Sequence, residues 1–359
     1  MKILVISLAG IGDTLLATPL IRELRANFPA ATIDALVLWA GSKDVLETNP
    51  HLNRVFQKNL LKTTKSEALR FLWSLRGEGY DFSLNTHPQS RIHYRLIARI
   101  IGARVRVSHE YDCSGWLDRW LVNRQHPQDY QRHTVANNLD LLRYLNVAPQ
   151  SGRMEMEVHL KPEEEAWARE FLRQQNLTGR RILGMHVGSG GTKNLVLKRW
   201  PLSHYLELIQ RINQSRPEVT VLLFGGPGER AEHEQIRAAT NPQRTLHVQT
   251  DNLRQAAALL KHCHAFLSVD TALMHLAAAL QTRGQVVIET PTLHLNNLPH
   301  GNNYLLVPNA AVAGRQLEYY RFDGAGIKGT REELLRCMAS VAPDAVFQVL
   351  ERALAGPGS

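Results

Sequence analysis

Six side chains have the type and spacing to do chemistry: Asp13, Lys198, Glu229, Asp270, Thr271 and His275. Asp270-Thr-Ala-Leu-Met-His275 places a carboxylate, a hydroxyl and an imidazole where an apolar run, Ala265 to Val269, gives way to a helical pattern. Thr271 would stand at the helix N-terminus, where free backbone amides and the positive helix end attract a phosphate. His275 lies one turn further on. The competing reading of this hexapeptide alone is a capping Asp or Thr and a packed histidine. Two other glycine-rich strand ends precede it, and together the three favour a binding site.

The first of these is Gly188-Ser-Gly-Gly-Thr192, after the apolar run Ile182 to Val187, followed by Lys198-Arg-Trp-Pro201. A glycine-rich turn lets backbone amides approach phosphate oxygens, and a nearby lysine adds a point charge; Ser189 adds a hydroxyl. A flexible connector and a solvated cation would look alike if each stood alone. The second is Phe224-Gly-Gly-Pro-Gly228-Glu229, whose carboxylate suits ribose hydroxyls. It equally suits the first turn of a helix, where a negative charge favours the dipole.

Asp13 is the candidate general base. It is the one carboxylate in the loop after the first apolar run, Lys2 to Leu8, and Gly10 and Gly12 leave room for a substrate. A base must be ionised and within hydrogen-bond reach of an acceptor hydroxyl. The alternative role is N-capping of a helix starting at Thr14. Gly10-Ile-Gly12 hints at a dinucleotide fingerprint, but Leu15 stands where the third glycine belongs and no acidic residue closes the second strand.

These residues need elements to hold them. Apolar runs alternate with helical patterns through both halves, which implies parallel sheets with helices on both faces. In the first half the expected elements are a strand Ile3 to Leu8, a helix Thr14 to Asn27, a strand Thr32 to Leu38, a helix Ser66 to Arg76, a strand Phe82 to Thr86, a helix Arg91 to Ile101 and a strand Arg104 to Ser108. Residues 110 to 133 read as irregular, and Met154 to Leu160 as a strand. A second alternation begins at Ile182 and runs to Val269. Division falls at 1–160, 161–340 and a last helix within 341–355 that crosses back onto the first domain. Strand-to-helix junctions in both halves suggest two crevices facing each other.

Composition narrows the partners. The chain has 359 residues and 42 Lys plus Arg against 33 Asp plus Glu, a net charge of +9. Such an excess favours polyanions, namely nucleic acid, anionic lipid or phosphorylated sugars. No aromatic RNA-binding signature, zinc finger or continuous basic helix is present, so nucleic acid is the weakest of the three. No stretch reaches the roughly eighteen unbroken apolar residues of a membrane span. The opening Met1 to Leu8 breaks at Gly10 and Asp13 without a small-residue cleavage site, and reads as a buried strand instead of a signal peptide. Cys113, Cys263 and Cys337 form no metal or disulfide pattern, which fits a reducing cytoplasm. Gly356-Pro-Gly-Ser359 reads as a flexible tail.

Taken in order, the motifs resemble the ADP-heptose:lipopolysaccharide heptosyltransferases of glycosyltransferase family nine. The resemblance rests on Gly12-Asp13 with its Leu-Leu-Ala-Thr-Pro continuation, Lys198-x-Trp-Pro201, Phe224-Gly-Gly-x-x-Glu229, Asp270-Thr-Ala-x-x-His275-x-Ala-Ala, and Leu334-Leu-Arg-Cys-Met338 before a last helix. It implies an α/β GT-B fold, two doubly wound parallel-sheet domains facing across a cleft, with an N-terminal acceptor-binding domain and a C-terminal nucleotide-sugar-binding domain. It implies an inverting, metal-independent transfer of heptose from ADP-heptose to an inner-core sugar, with no cofactor. Asp13 would be the base. Ser189, Lys198, Asp270, Thr271, Ala272 and His275 would hold the donor phosphates, and Glu229 the ribose. Gly12, Lys62, Lys65, Arg91 and Arg95 are the candidates for an anionic glycolipid acceptor, reached by peripheral contact at the cytoplasmic face of the inner membrane. Three features depart from the family pattern: Ala272 stands where glycine is more usual, the glycine-rich loop Gly188 to Leu197 is extended, and Glu289 stands where a Phe-Gly turn is usual. Competing functions are transfer from another nucleotide sugar, transfer to a protein or O-antigen acceptor, and a non-catalytic nucleotide-sugar binder that would need no base at Asp13.

Overall fold

The structure is a computed structural model describing residues 1–301 and 303–355, so the expected tail at 356–359 lies outside the described residues. Contacts divide the chain into two compact units. One comprises Met1–His159 with Leu295–Asn297 and Phe322–Gly324, and the other the rest of the described chain.

The first unit runs β1 (Lys2–Ser7), α1 (Ile11–Leu15), α2 (Thr18–Asn27), β2 (Thr32–Val37), α3 (Ala40–Leu46), β3 (Arg54–Gln57), α4 (Lys65–Gly77), β4 (Phe82–Asn85), α5 (Ile92–Ile101), β5 (Val105–Glu110), α6 (Trp116–Leu121), β6 (Arg124–Pro127) and α7 (Thr134–Leu139). Its strands form one parallel sheet in the order β3-β2-β1-β4-β5-β6. β1, Lys-Ile-Leu-Val-Ile-Ser, is apolar almost throughout because it is central and covered on both faces; Ile3 to Ile6 are wholly buried. α4 starts where Thr64 and Glu67 close a reciprocal capping box.

Several expectations change here. The helix expected over 14–27 is two helices, with a break at Leu16–Ala17 that puts Pro19 in the first turn of α2, where its missing N–H costs nothing. Residues 110–133 are not irregular but contain α6 and β6. Residues 154–160 are not a strand. Side chains bond this segment and the residue before it instead: Arg22 donates to the carbonyls of Arg153 and Glu155, Glu157 N–H donates to Thr18 Oγ1, and Thr48 bonds the His159 carbonyl.

The second unit runs α8 (Pro162–Gln174), β7 (Arg181–His186), α9 (Leu202–Ser215), β8 (Val219–Phe224), α10 (Arg230–Ala239), β9 (Thr245–His247), α11 (Leu253–Leu260), β10 (Ala265–Ser268), α12 (Ala272–Ala279), β11 (Gln285–Ile288), β12 (Tyr304–Val307), α13 (Gln316–Tyr319), α14 (Arg331–Ala339) and α15 (Pro343–Ala355). Its parallel sheet has the order β12-β11-β10-β7-β8-β9.

The last helix belongs to the second unit: α15 packs on α9, β10, β11 and β12, and its Val346, Phe347, Leu350 and Leu354 join the core around Leu223, Leu267 and Val286. Trp200 Nε1 donates to the Val341 carbonyl at 2.8 Å, and Arg211 stands 4.2 Å over the Phe347 ring. An amphipathic helix buries its apolar face against the nearest open sheet face, and here that belongs to its own unit.

Candidate active site

Both sheets reverse strand order beside their first strand, between β1 and β4 and between β7 and β10. Crevices for ligands open at the carboxyl ends of strands at such points. Asp13 follows β1, Gly188 and Ser189 follow β7, and Asp270 and Thr271 follow β10; Glu229 follows β8, Lys62 shortly precedes α4 and Lys65 opens it.

In the second unit, Asp270 and Thr271 follow β10. Thr271 caps α12, its Oγ1 accepting from Met274 N–H at 3.3 Å, and it lies 3.2 Å from His186 Nδ1 at the end of β7. Lys198 Nζ donates to Asp270 Oδ2 at 2.8 Å and to Thr292 Oγ1 at 3.3 Å; Thr292 also donates to Asp270. Lys198 and Asp270 are both buried. Burial works to raise the Asp270 pKa, but Lys198, His275 and the hydrogen bonds outweigh it and hold the carboxyl below its usual range. Burial pushes His275 down to about 4, against the pull of Asp270, so it is a neutral imidazole at pH 7 and not a cation. Its buried Nδ1 has no hydrogen-bond partner among the described residues. The cluster thus combines one ammonium, a helix N-terminus and neutral imidazoles at a single strand end, a combination suited to an anion. Ala272 is the first residue of α12 and is partly exposed.

A second group adjoins it through Arg199. The guanidinium pairs with Glu229 at 3.2 Å and Glu232 at 2.9 Å, and its Nε donates to Ser189 Oγ at 3.3 Å. Glu229 also accepts from Gly226 N–H at 2.9 Å, so the helix-start reading of this residue is realised in the fold. Gly188 leaves room for Glu229: a Cβ there would lie 2.5 Å from its carboxylate, so a larger residue would have to push that side chain aside. His186, Arg199, Thr292 and Thr290, whose hydroxyl lies 3.2 Å from that of Thr292, join the group without having stood out in the sequence. Arg199 is next to Lys198 in the motif already singled out, whereas His186 and the threonines gain meaning only when β7, β10 and β11 become neighbours.

Glu289 plays an internal part. Its carboxylate accepts from Asn309 N–H at 2.8 Å and Gln316 Nε2 at 2.6 Å, tying the end of β11 to the segments around Asn309 and Gln316.

In the first unit, Asp13 is the third residue of α1, and its Oδ2 accepts from Gly10 N–H at 2.6 Å. The carboxylate closes the first turn back onto Gly10 and does not cap a helix starting at Thr14. Gly12 is buried beside it, whereas Lys62, Lys65 and Arg91 are exposed.

Arg95, expected at the acceptor, is placed elsewhere by the fold. It is wholly buried, with Nε 3.1 Å from Asp118 Oδ1, Nη1 donating to Ser90 O at 2.9 Å, and the guanidinium 5.4 Å from the centre of the Tyr111 ring. These partners use its charge and donors within the fold, so Arg95 positions the 90–118 region and does not face an acceptor.

Among the described residues, one grouping has metal-ligand geometry: His51, Glu157 and His159, with each histidine Nε2 within 3.4 Å of Glu157 Oε1. Glu157 Oε2 is held by Arg22 at 2.8 Å. His51 precedes the start of β3, at the edge of the first sheet opposite Asp13.

Two doubly wound parallel sheets carried on one chain are the GT-B architecture. Residues 68–311 match glycosyltransferase family 9 (heptosyltransferase), and the chain belongs to that family. It is 26% identical over 302 residues to lipopolysaccharide heptosyltransferase 3 of Escherichia coli, covering 82% of this chain and 85% of that protein. It is 29% identical over 299 residues to lipopolysaccharide heptosyltransferase 2 of Salmonella typhimurium, covering 78% and 80%. The solved structure of E. coli ADP-heptose lps heptosyltransferase II superposes with a TM-score of 0.74 over 99% of both chains at 22% identity.

Proposed function

We propose that this glycosyltransferase moves heptose from ADP-heptose to an inner-core sugar of lipopolysaccharide by a single inverting displacement, without a metal ion or cofactor, at the cytoplasmic face of the inner membrane. The observation that carries the reading is the Lys198–Asp270 pair beside the Thr271-capped start of α12. Lys198 and the α12 amides receive the donor diphosphate, with His275 as a neutral donor; Asp270 positions Lys198. Ser189 and Ala272 line the phosphate approach, and Glu229 receives the ribose.

The first unit takes the acceptor, with Lys62, Lys65 and Arg91 facing its anionic groups and Gly12 giving room beside Asp13. Asp13 removes the proton from the acceptor hydroxyl as that oxygen bonds to the anomeric carbon of heptose. The bond from that carbon to the diphosphate oxygen breaks, and ADP leaves with the electron pair. Positive groups fixed in place before reaction stabilise the charge on the leaving diphosphate without further reorganisation.

Purified enzyme with ADP-heptose and a lipopolysaccharide core lacking heptose tests this directly. The expected product is acceptor enlarged by one heptose, with the anomeric configuration inverted relative to the donor and turnover retained in EDTA. Transfer from another nucleotide sugar in preference to ADP-heptose, or loss in EDTA with rescue by magnesium, would contradict it.

A further inference from the structure

The first unit carries an exposed aromatic face that its sheet does not need. Among the described residues, eight of the twelve exposed large apolar side chains lie between residues 61 and 120. Seven of these eight lie on three helices packed in series, α4 on α5 and α5 on α6. Leu69 and Trp73 stand one turn apart on α4, Ile92 and Leu96 one turn apart on α5, and Trp116 and Trp120 one turn apart on α6. The three tryptophans are 60%, 76% and 63% exposed, although tryptophan is highly buried on average. The inward faces of the same helices, Leu72, Leu75, Ala98 and Ile101 among them, already supply the core.

Cations are threaded through these stripes. Arg76 lies 5.4 Å from the centre of the Trp73 ring, and Arg99 reaches from α5 to within 5.3 Å of the Trp120 ring on α6. Arg70, Arg91 and Arg119 are exposed nearby. Between residues 58 and 124 there are twelve Lys and Arg against six Asp and Glu, so this stretch supplies most of the chain's net charge of +9. Of its carboxylates, Asp118 is held by Arg95, Glu78 by Arg54, and Glu67 by the Thr64 cap.

We infer that the outer face of α4, α5 and α6 is a docking surface for an anionic phospholipid bilayer. Tryptophan rings settle at the boundary between headgroups and acyl chains, while arginine stems follow them and leave the guanidinium groups at lipid phosphates. Charge decides between occupants. A second copy bound through this face about a two-fold axis would set the arginine-rich stripes against themselves, whereas an anionic bilayer offers both an apolar layer and negative charge. Among the described residues no helix is long and apolar enough to cross a membrane, so contact through this face is peripheral. The inference rests on the proposed function only in that a membrane glycolipid acceptor requires such contact; the surface itself follows from the exposed residues.

The test uses the full chain without donor or acceptor, mixed with vesicles of phosphatidylcholine alone or with about one quarter phosphatidylglycerol. The expected result is co-sedimentation with the anionic vesicles and a blue shift of tryptophan emission, both reduced by added salt. Replacing Trp73, Trp116 and Trp120 together by Ser should lower partitioning at least about tenfold, and Arg70→Ser with Arg119→Ser by a similar factor. Unchanged thermal melting and unchanged ADP affinity would show that these variants are folded. ADP affinity also separates the outcomes, because a failure of the nucleotide reading appears there and a failure of the docking surface appears in sedimentation. Wild-type protein that ignores anionic vesicles, or a triple variant that partitions as well as wild type, would overturn the inference. So would a triple variant whose one change is loss of self-association in analytical ultracentrifugation.

Discussion

Lys198 Nζ stands 2.8 Å from Asp270 Oδ2, and each side chain exposes only 8% of its surface. A buried pair of this kind costs desolvation of both charges, and removing one partner strands the other in a low-dielectric site. The pair is therefore a weak source of stability, but it fixes an ammonium group at the start of α12.

That relationship separates stability from binding. Lys198→Met should destabilise the protein by about 3–5 kcal/mol, because Asp270 is left buried and charged. Adding Asp270→Asn should recover much of that loss. Affinity for ADP should fall by about one to two decades in both variants, as expected for a lost charge-assisted hydrogen bond, while adenosine binding stays unchanged. Thermal melts and calorimetry check the two halves, and recovery of ADP affinity in the double variant would remove Lys198 from the diphosphate.

Buried neutral histidines predict the acid response. Burial lowers His186 to about 3 and His275 to about 4, against an ordinary value of 6.5. The unfolded chain binds these protons below about pH 6.5, but the folded chain does not until its own lower pKa values are reached. Stability therefore falls as pH drops from 6.5 towards 4, by up to about 1.4 kcal/mol per pH unit for each such histidine. Denaturant midpoints at pH 7 and pH 5 should show the decline, and the double variant His186→Gln, His275→Gln should make it shallower, the remainder coming from His109, His233 and His294, which burial lowers in the same way. A midpoint that rises between pH 7 and pH 5 would contradict the assignment.

Arg95→Ala should behave as a folding variant. It leaves Asp118 buried without its partner and removes the donors to Ser90 and His109, so a loss of about 3–5 kcal/mol is expected. Arg91→Ala, at an exposed position, should leave the melting temperature nearly unchanged and raise the KM for an anionic acceptor. An Arg95→Ala protein that is stable but selectively weak for acceptor would restore the reading that the structure overturns.

The central strands were legible because a parallel strand covered on both faces must be apolar throughout, as in Ile3–Ile6 and Phe266–Leu267. Edge strands carry no such mark. β3 is Arg-Val-Phe-Gln and β6 is Arg-Gln-His-Pro, polar enough to pass for loop. The positions of Lys198, Asp270 and Thr271 at one strand end followed from motifs at strand-to-helix junctions. Arg91, Arg95 and Arg99 recur every four residues, a spacing that gives no sign of how differently they are placed. Their separation into exposed, buried and half-exposed positions depends on Asp118, which comes from another helix. Residues 154–160 look like a strand because they alternate, yet their hydrogen-bond partners are the side chains of Thr18, Arg22 and Thr48.

The most direct test is turnover of Asp13→Asn with ADP-heptose and heptose-deficient core acceptor. The asparagine side-chain oxygen can still accept from Gly10 N–H, where Asp13 Oδ2 now does at 2.6 Å, so folding and ADP affinity should be retained. The amide cannot take the acceptor proton, and kcat should fall at least about a hundredfold, the lower end of what a general base contributes. A folded Asp13→Asn protein that binds donor and transfers heptose at near wild-type rate would contradict the account and leave Asp13 as the residue that closes the first turn of α1.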